Sequence, residues 1–139
     1  MKTVMCFGTF DILHLGHLNY FQQAKQYGDH LIVVIARDTT KRDQEKMTIF
    51  NEEERRALVA SQKIVDEAVL GYPGDHYRII GEKKPEVICL GYDHPVSERE
   101  LQEELARRGL YPEIKRMNAY HPQTLKSTRI KELLLEKLQ

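Results

Sequence analysis

The stretch "TVMCFGTFDILHLGHLNYF", residues 3–21, decides how the rest of the chain is read. Residues 3–7 are a short apolar run, which predicts a buried strand. "GTFD" interrupts the run. From Leu15 onward apolar residues recur at helical spacing through Leu18, Phe21 and Ala24, which predicts a helix over 15–27 with Gly28 at C′. "HLIVVIA", residues 30–36, then forms a continuous apolar, β-branched run, the pattern of a strand covered on both faces. A strand, a loop, a helix and a second such strand are the opening of a parallel sheet.

The alternation continues. Residues 37–50 are rich in charge without a period and read as a mobile loop. Asn51 opens a helix with Glu54 as its capping-box partner and with Leu58 and Val59 facing inward. A strand over 65–70, a turn over 71–75, a helix over 76–83 and a strand over 86–90 follow. Ser97 caps the next helix, with Glu100 as its box partner, Leu101 and Leu105 as its stripe and Gly109 as its stop. A strand over 112–117 leads to a polar loop, 118–126, and Ser127 or Thr128 caps a final helix. The order β-α repeated five times predicts one α/β domain over 1–139, a doubly wound parallel sheet with helices on both faces. Ligands of such sheets bind beyond the carboxyl ends of the strands, where the strand order reverses. The chemistry is therefore expected among loops 8–14, 37–50, 71–75, 91–96 and 117–127.

Bulk composition narrows the partners. Lys plus Arg and Asp plus Glu number 21 each, a formal charge of zero, which argues against a broad nucleic-acid or membrane surface. No apolar window reaches the length of a membrane span, and the first residues lack the apolar core of a signal peptide. The expectation is a cytoplasmic protein. Cys6 and Cys89 each sit in an apolar run and read as buried thiols of a reducing compartment.

His14 and His17 stand three apart around Gly16 at the start of the first predicted helix. A helix N-terminus offers unpaired amides and a positive dipole end, which suits a phosphate. Gly16 would let a ligand approach the backbone, and imidazoles could donate to phosphate oxygens or stabilise charge on phosphorus. A zinc pair on a helix prefers a spacing of about four with an acid between, and a serine or cysteine nucleophile would need a partner, while Cys6 reads as buried in a strand. The plain alternative is two half-exposed histidines at a helix start.

"GTFDILHLGH" as a whole resembles the signature of the nucleotidyltransferase superfamily of cytidylyl- and adenylyltransferases, and it falls, as theirs does, between the first strand and the first helix. The resemblance covers nearly the whole chain. It implies a Rossmann-like fold and the joining of a nucleoside triphosphate to a phosphorylated acceptor with release of pyrophosphate. It further implies catalytic roles for His14, His17 and Lys46, and nucleotide contacts at Gly8, Thr9, Phe10, Asp11, Gly16, Gly91 and Asp93. The family's second signature corresponds here to "LKSTRI", residues 125–130, so Ser127 and Thr128 are expected on the triphosphate and Lys126 beside it. Lys41, Arg55, Lys63 and Tyr120 are expected on the acceptor or its phosphate. Asp11 would orient a histidine or help place Mg²⁺, which arrives on the phosphates because no dedicated metal cage is visible.

Two subfamilies compete for the substrates. Glycerol-3-phosphate cytidylyltransferases carry Arg-Thr-Glu-Gly before their second signature, and this chain has "NAYHPQTLKST" instead. Archaeal-type FAD synthases resemble it in "LIVVIARD", "EEERR", "AVLG", "LGYD" and "ELARRGLYPEI". Some of them carry cysteines in the tail loop, where this chain has none. The resemblance implies AMP transfer from ATP to FMN. The alternatives are CTP with a phosphorylated alcohol, and a nucleotide-binding module without catalysis. Tyr72, Tyr77, Tyr92 and Tyr120 are available to stack on a flat ring. Relatives are often dimers, so a homodimer is a further expectation.

Overall fold

The apolar run after His30 leaves no polar face, so both of its sides must be covered. It forms β2, His30–Ile35, and Leu31 through Ile35 are all buried. The computed structural model describes residues 1–43, 47–120 and 127–138, with 43 and 127–129 by their backbone alone. In it β2 lies between β1, Thr3–Gly8, and β3, Glu67–Leu70. On the other edge of β1 lie β4, Val87–Leu90, and then β5, Glu113–Arg116. All four pairings are parallel, and the order is β3-β2-β1-β4-β5. The chain thus steps outward from β1 twice, crosses back, and steps outward on the other side. This is a Rossmann-like α/β domain, and its order reverses between β1 and β4.

The helices are α1, Leu15–Lys25; α2, Asp38–Asp43; α3, Glu52–Ala60; α4, Arg78–Lys83; α5, Glu98–Arg107; and α6, Ser127–Leu138. Alternation along each strand divides the core. Val4, Cys6, Leu31, Val33, Ile35, Val87 and Cys89 face Phe21 and Ala24 of α1 and Val59 of α3. Met5, Ile32, Val34, Ile88 and Leu90 face Ile79 and Ile80 of α4 and Leu101 and Leu105 of α5. Each such aliphatic side chain contributes about 1.5–3 kcal/mol by leaving water. Cys6 and Cys89 are register partners, both free and both buried. Among the described residues no helix is long and apolar enough to cross a membrane.

Local signals were mostly realised. Asn51 and Glu54 make both bonds of the capping box of α3, at 2.8 and 3.1 Å. Ser97 caps α5 by accepting from Glu100 N–H at 3.0 Å. Gly109 adopts φ +76° after that helix, where Leu110 N–H reaches Leu105 O at 2.8 Å.

Four expectations are corrected. Residues 38–43, read as loop, are the helix α2, whose charged sequence has no apolar stripe to announce it. Gly28 is not a left-handed C′ residue. It is small because a Cβ there would stand 2.6 Å from Lys2 O and from Val4 Cγ2. Leu58 is 43% exposed, and the inward residues of α3 are Arg55 and Val59, four apart on one stripe. Arg55, expected on an acceptor phosphate, is fully buried.

Arg55 is occupied by the fold. It donates to Phe50 O at 3.1 Å, to Thr9 O at 2.9 Å and to the Asp38 carboxylate at 2.7 Å. Asp38 in turn accepts from Glu52 N–H at 3.1 Å, while Asp38 N–H donates to Glu52 at 3.0 Å. Arg37 donates to Glu52 at 3.0 Å and to Gly71 O at 2.8 Å. These bonds hold α2 against α3 and tie both to the loop after β1. Truncating a buried charge partner costs about 3–5 kcal/mol. Arg55→Ala is therefore expected to lower the unfolding free energy by about 3 kcal/mol in urea denaturation, and an unchanged midpoint would contradict this structural role.

Candidate active site

The first loop is built from the inside out. β1 ends at Gly8, where a Cβ would lie 2.5–3.0 Å from the ring of Phe10. Only glycine lets that ring fold under the strand end. Phe10 is 4% exposed and takes φ +55°, a backbone strain of about 1 kcal/mol or more, offset by burying the ring. That ring packs edge-on to His17, with centroids 5.1 Å apart, and against Phe21 at 5.2 Å.

His14 is the N-cap of α1. Its Nδ1 accepts from Gly16 N–H at 3.0 Å, and His17 Nδ1 accepts from His14 N–H at 3.4 Å. The two histidines thus make a reciprocal capping box, with imidazoles in the places of the usual hydroxyl and carboxylate. An accepting Nδ1 carries no proton, so in each neutral ring the proton sits on Nε2. The rings stack at 3.9 Å between centroids. Gly16 is required by this geometry: a Cβ there would stand 2.8 Å from His14 Cε1. Glycine serves His14's own ring before it serves any ligand.

Burial keeps both rings neutral. It holds His14 below the ordinary imidazole value, and burial together with the neighbouring His14 brings His17 down to about 3. His14 Nε2 is enclosed and meets no hydrogen-bond partner among the described residues. An enclosed donor without an acceptor costs about 1–3 kcal/mol.

The pair lines a cleft of about 1100 Å³ at the carboxyl ends of the strands. That is slightly above the roughly 300–1,000 Å³ of a single small-molecule site. Gly8, Thr9, Phe10, Asp11, Gly16, Lys41, Gly91, Asp93 and Tyr120 line it, as do Tyr72, Tyr77 and Tyr92. Arg78 lies over the Tyr72 ring at 4.2 Å and Arg108 over Tyr77 at 5.0 Å. A Cβ on Gly91 would meet nothing closer than 3.8 Å, so the fold alone does not demand glycine there.

Asp11 differs from its expected role. Its carboxylate accepts from Ile49 N–H at 2.8 Å and Phe50 N–H at 2.9 Å, and it pairs with Lys131 at 2.5 Å. Burial alone would raise its pKa, but Lys131 and the two amides hold it below the usual carboxylate range. Asp11 joins three segments and hydrogen-bonds neither histidine in the capping box. Lys63 also differs. It is exposed in the turn leading into β3, at the amino ends of the strands, and lies outside the cleft lining. Lys46, Lys126 and the side chains of Ser127 and Thr128 lie outside the described residues.

Three contributors were missed from sequence. Lys131 sits one turn beyond Ser127 and Thr128, and a helical side chain leans back over the preceding turn, so its spacing offered a signal. Tyr20 bridges the strands where β1 and β4 part: its hydroxyl donates to Cys89 O at 2.6 Å and accepts from Phe7 N–H at 3.3 Å. Arg116 lies in a strand dense with charge and had no distinguishing signal.

The capping geometry makes separable predictions. His14→Asn keeps an acceptor at the N-cap and is expected within about 0.5 kcal/mol of the wild-type stability, whereas His14→Ala should lose about 1 kcal/mol. His17 has a folded pKa of about 3 against 6.5 for a free imidazole, so the unfolded chain binds the extra proton between those values. Its contribution is intact above about pH 6.5 and is lost progressively on acidification, on the order of 1–2 kcal/mol at about pH 5. His17→Asn should flatten that decline in urea titrations of the unliganded protein. An unaltered pH slope would contradict a buried neutral ring.

Comparison with known proteins extends over the same residues. A family model described as cytidylyltransferase-like matches residues 5–133. The chain is similar to an FAD synthase of Thermoplasma volcanium, 43% identical over 136 residues that cover 98% of this chain and 96% of that protein. It is similar also to an FAD synthase of Aciduliprofundum boonei, 42% identical over 129 residues, covering 93% and 87%. Among solved structures it resembles a lipopolysaccharide core biosynthesis protein from Thermoplasma volcanium, with a TM-score of 0.85, 46% identity, and coverage of 86% of this chain and 98% of that one. Over that span and at that identity, the chain belongs to the cytidylyltransferase-like family of nucleotidyltransferases.

Proposed function

We propose that this nucleotidyltransferase transfers the adenylyl group of ATP to FMN, forming FAD and pyrophosphate. The observation that carries the reading is the capped histidine pair: two neutral imidazoles with protons on Nε2, set at a helix N-terminus in a cleft roomy enough for donor and acceptor together. The names of the FAD synthases it resembles support the choice of ATP and FMN.

In the reaction, a terminal phosphate oxygen of FMN attacks the α-phosphorus of ATP. The bond from that phosphorus to the bridging oxygen breaks in line, and pyrophosphate leaves. No covalent protein nucleophile takes part. Burial pushes the Cys89 thiol up to about 12 and the Cys6 thiol higher still, and both stay protonated within β4 and β1. His14 and His17 donate from Nε2 to phosphoryl oxygens, where negative charge gathers as the bond breaks. Neutral donors of this kind do not repel one another at 3.9 Å, as two imidazolium rings would. The α1 amides and Lys41 add positive potential. Lys46, Lys126, Ser127 and Thr128 retain the phosphate roles that the family signature implies.

A divalent cation would be carried on the triphosphate. Among the described residues no three His, Cys, Asp or Glu side chains converge as a cage, and Asp11 is taken by Lys131 and two amides. Such an ion would neutralise phosphate charge when bound. The apolar surface for a homodimer would be α6, where Leu134, Leu135 and Leu138 are exposed.

The test is a pyrophosphate-release screen of ATP and CTP against FMN, glycerol-3-phosphate and phosphoethanolamine. ATP with FMN is expected to give equal amounts of pyrophosphate and FAD, and activity confined to CTP would contradict the proposal. Within that assay His14→Asn is expected to lower kcat about 10²–10³-fold at unchanged stability, and the double alanine variant to abolish turnover. Undiminished turnover in the double variant would remove the histidines from the mechanism.

A further inference from the structure

At three of the four strand pairings a last rung is closed just past the outer strand. Ala36 N–H donates to Gly8 O at 3.0 Å, Gly71 N–H to Ile35 O at 3.0 Å and Met117 N–H to Leu90 O at 2.8 Å. The pairing of β1 with β4 is the exception. Its register ends at Cys6 and Cys89, although β1 continues to Gly8 and β4 to Leu90. The corresponding rung would run from Gly91 N–H to Phe7 O, and the described residues do not make it.

A side chain stands at the break. The Tyr20 hydroxyl gives its one proton to Cys89 O at 2.6 Å and accepts from Phe7 N–H at 3.3 Å, and the same oxygen lies 3.4 Å from Phe7 O. Burial holds its pKa well above the ordinary phenol value, so it remains a donor. The ring continues the separation: a Cβ on Gly91 would lie 3.9 Å from Tyr20 Cε2. Gly91 O is meanwhile bound at 2.9 Å by Arg116, at the end of β5, whose guanidinium also takes His94 O and Val96 O.

The break opens into the cleft. Phe7, Gly8, Tyr20, Leu90 and Gly91 all line it, and it falls where the strand order reverses. Tyr20 stands three residues beyond His17 in α1, so the helix that presents the histidine pair also carries the hydroxyl that parts the strands.

We propose that Tyr20 is a positioning residue whose hydroxyl holds the carboxyl ends of β1 and β4 apart and so keeps the floor of the cleft open to the reactants. The inference rests on the nucleotidyl-transfer reading of this cleft. Without that oxygen, Phe7 O and Cys89 O need other donors, because a buried carbonyl left unpaired is costly. The ladder pattern offers Gly91 N–H to the first and Phe7 N–H to the second. Taking them would zip the strands together and narrow the cleft.

The test is Tyr20→Phe, which keeps the ring and removes the oxygen, read by NMR amide exchange on the full unliganded chain, by urea denaturation and by pyrophosphate release from ATP and FMN. In wild type the Gly91 amide is expected to exchange at least about tenfold faster than those of Ala36, Gly71 and Met117. In Tyr20→Phe it should slow by about tenfold or more, with the urea midpoint kept. The KM of at least one substrate should rise about tenfold while kcat changes less than about threefold. A tyrosine that merely stabilises the fold would lower the midpoint and leave Gly91 exchange and both KM values as in wild type. Unchanged Gly91 exchange or two unchanged KM values overturn the proposal, as does a loss confined to kcat. Wild type that releases no pyrophosphate contradicts the proposed function instead, and the exchange measurement, which needs no substrate, still decides whether Tyr20 parts the strands. Should Tyr20→Phe not fold, wild-type exchange is read alone: a Gly91 amide as protected as the other three overturns the proposal, and faster exchange supports it.

Discussion

The hydrogen bond from Gly16 N–H to His14 Nδ1 is the constraint on which the site depends. Any N-cap would satisfy an open amide of α1. With histidine as the cap, the same bond also fixes where the ring's proton lies, and the return bond from His14 N–H to His17 does so for the second ring. Helix formation and the setting of both ring tautomers are thereby one event. Each neighbouring residue follows from that choice: Gly16 clears space for His14, Phe10 braces His17 from the side, and Gly8 clears space for Phe10. The tetrad Gly-Thr-Phe-Asp is therefore support for the rings as well as part of the cleft wall.

Asp11 carries the order outward. Its carboxylate joins the first loop to the segment before α3 and to α6, the helix that opens with Ser127 and Thr128. Arg55 does similar work beneath, linking Thr9 and Phe50 to Asp38. Two ionisable groups that sequence reasoning assigned to ligands are instead consumed in bringing distant loops to one cleft.

What could be read beforehand follows from physical locality. The continuous run 31–35 declared a strand with two covered faces, the Asn51–Glu54 spacing declared a helix start, and the first loop was rightly placed between β1 and α1. Each signal is contained in a few consecutive residues. α2 was hidden because its stability comes from Arg37 and Asp38 meeting α3, not from a stripe of its own. Arg55 was misassigned because its partners Thr9 and Asp38 are brought to it only by the fold. Arg116 was invisible for the same reason: the carbonyls it binds lie 20–25 residues away along the chain. Leu58 was placed inward by its chemical type, while the stripe that packs passes through Arg55 and Val59.

The claim most exposed to a direct check is the tautomer. Nitrogen-15 NMR of the imidazoles, recorded on the unliganded protein across the acid range, reads both protonation site and titration. The account predicts protons on Nε2 and bare Nδ1 nitrogens for His14 and His17 at neutral pH, with His17 titrating far below the free-imidazole value. A proton on Nδ1 of either ring, or an ordinary titration near 6.5 for His17, would contradict it.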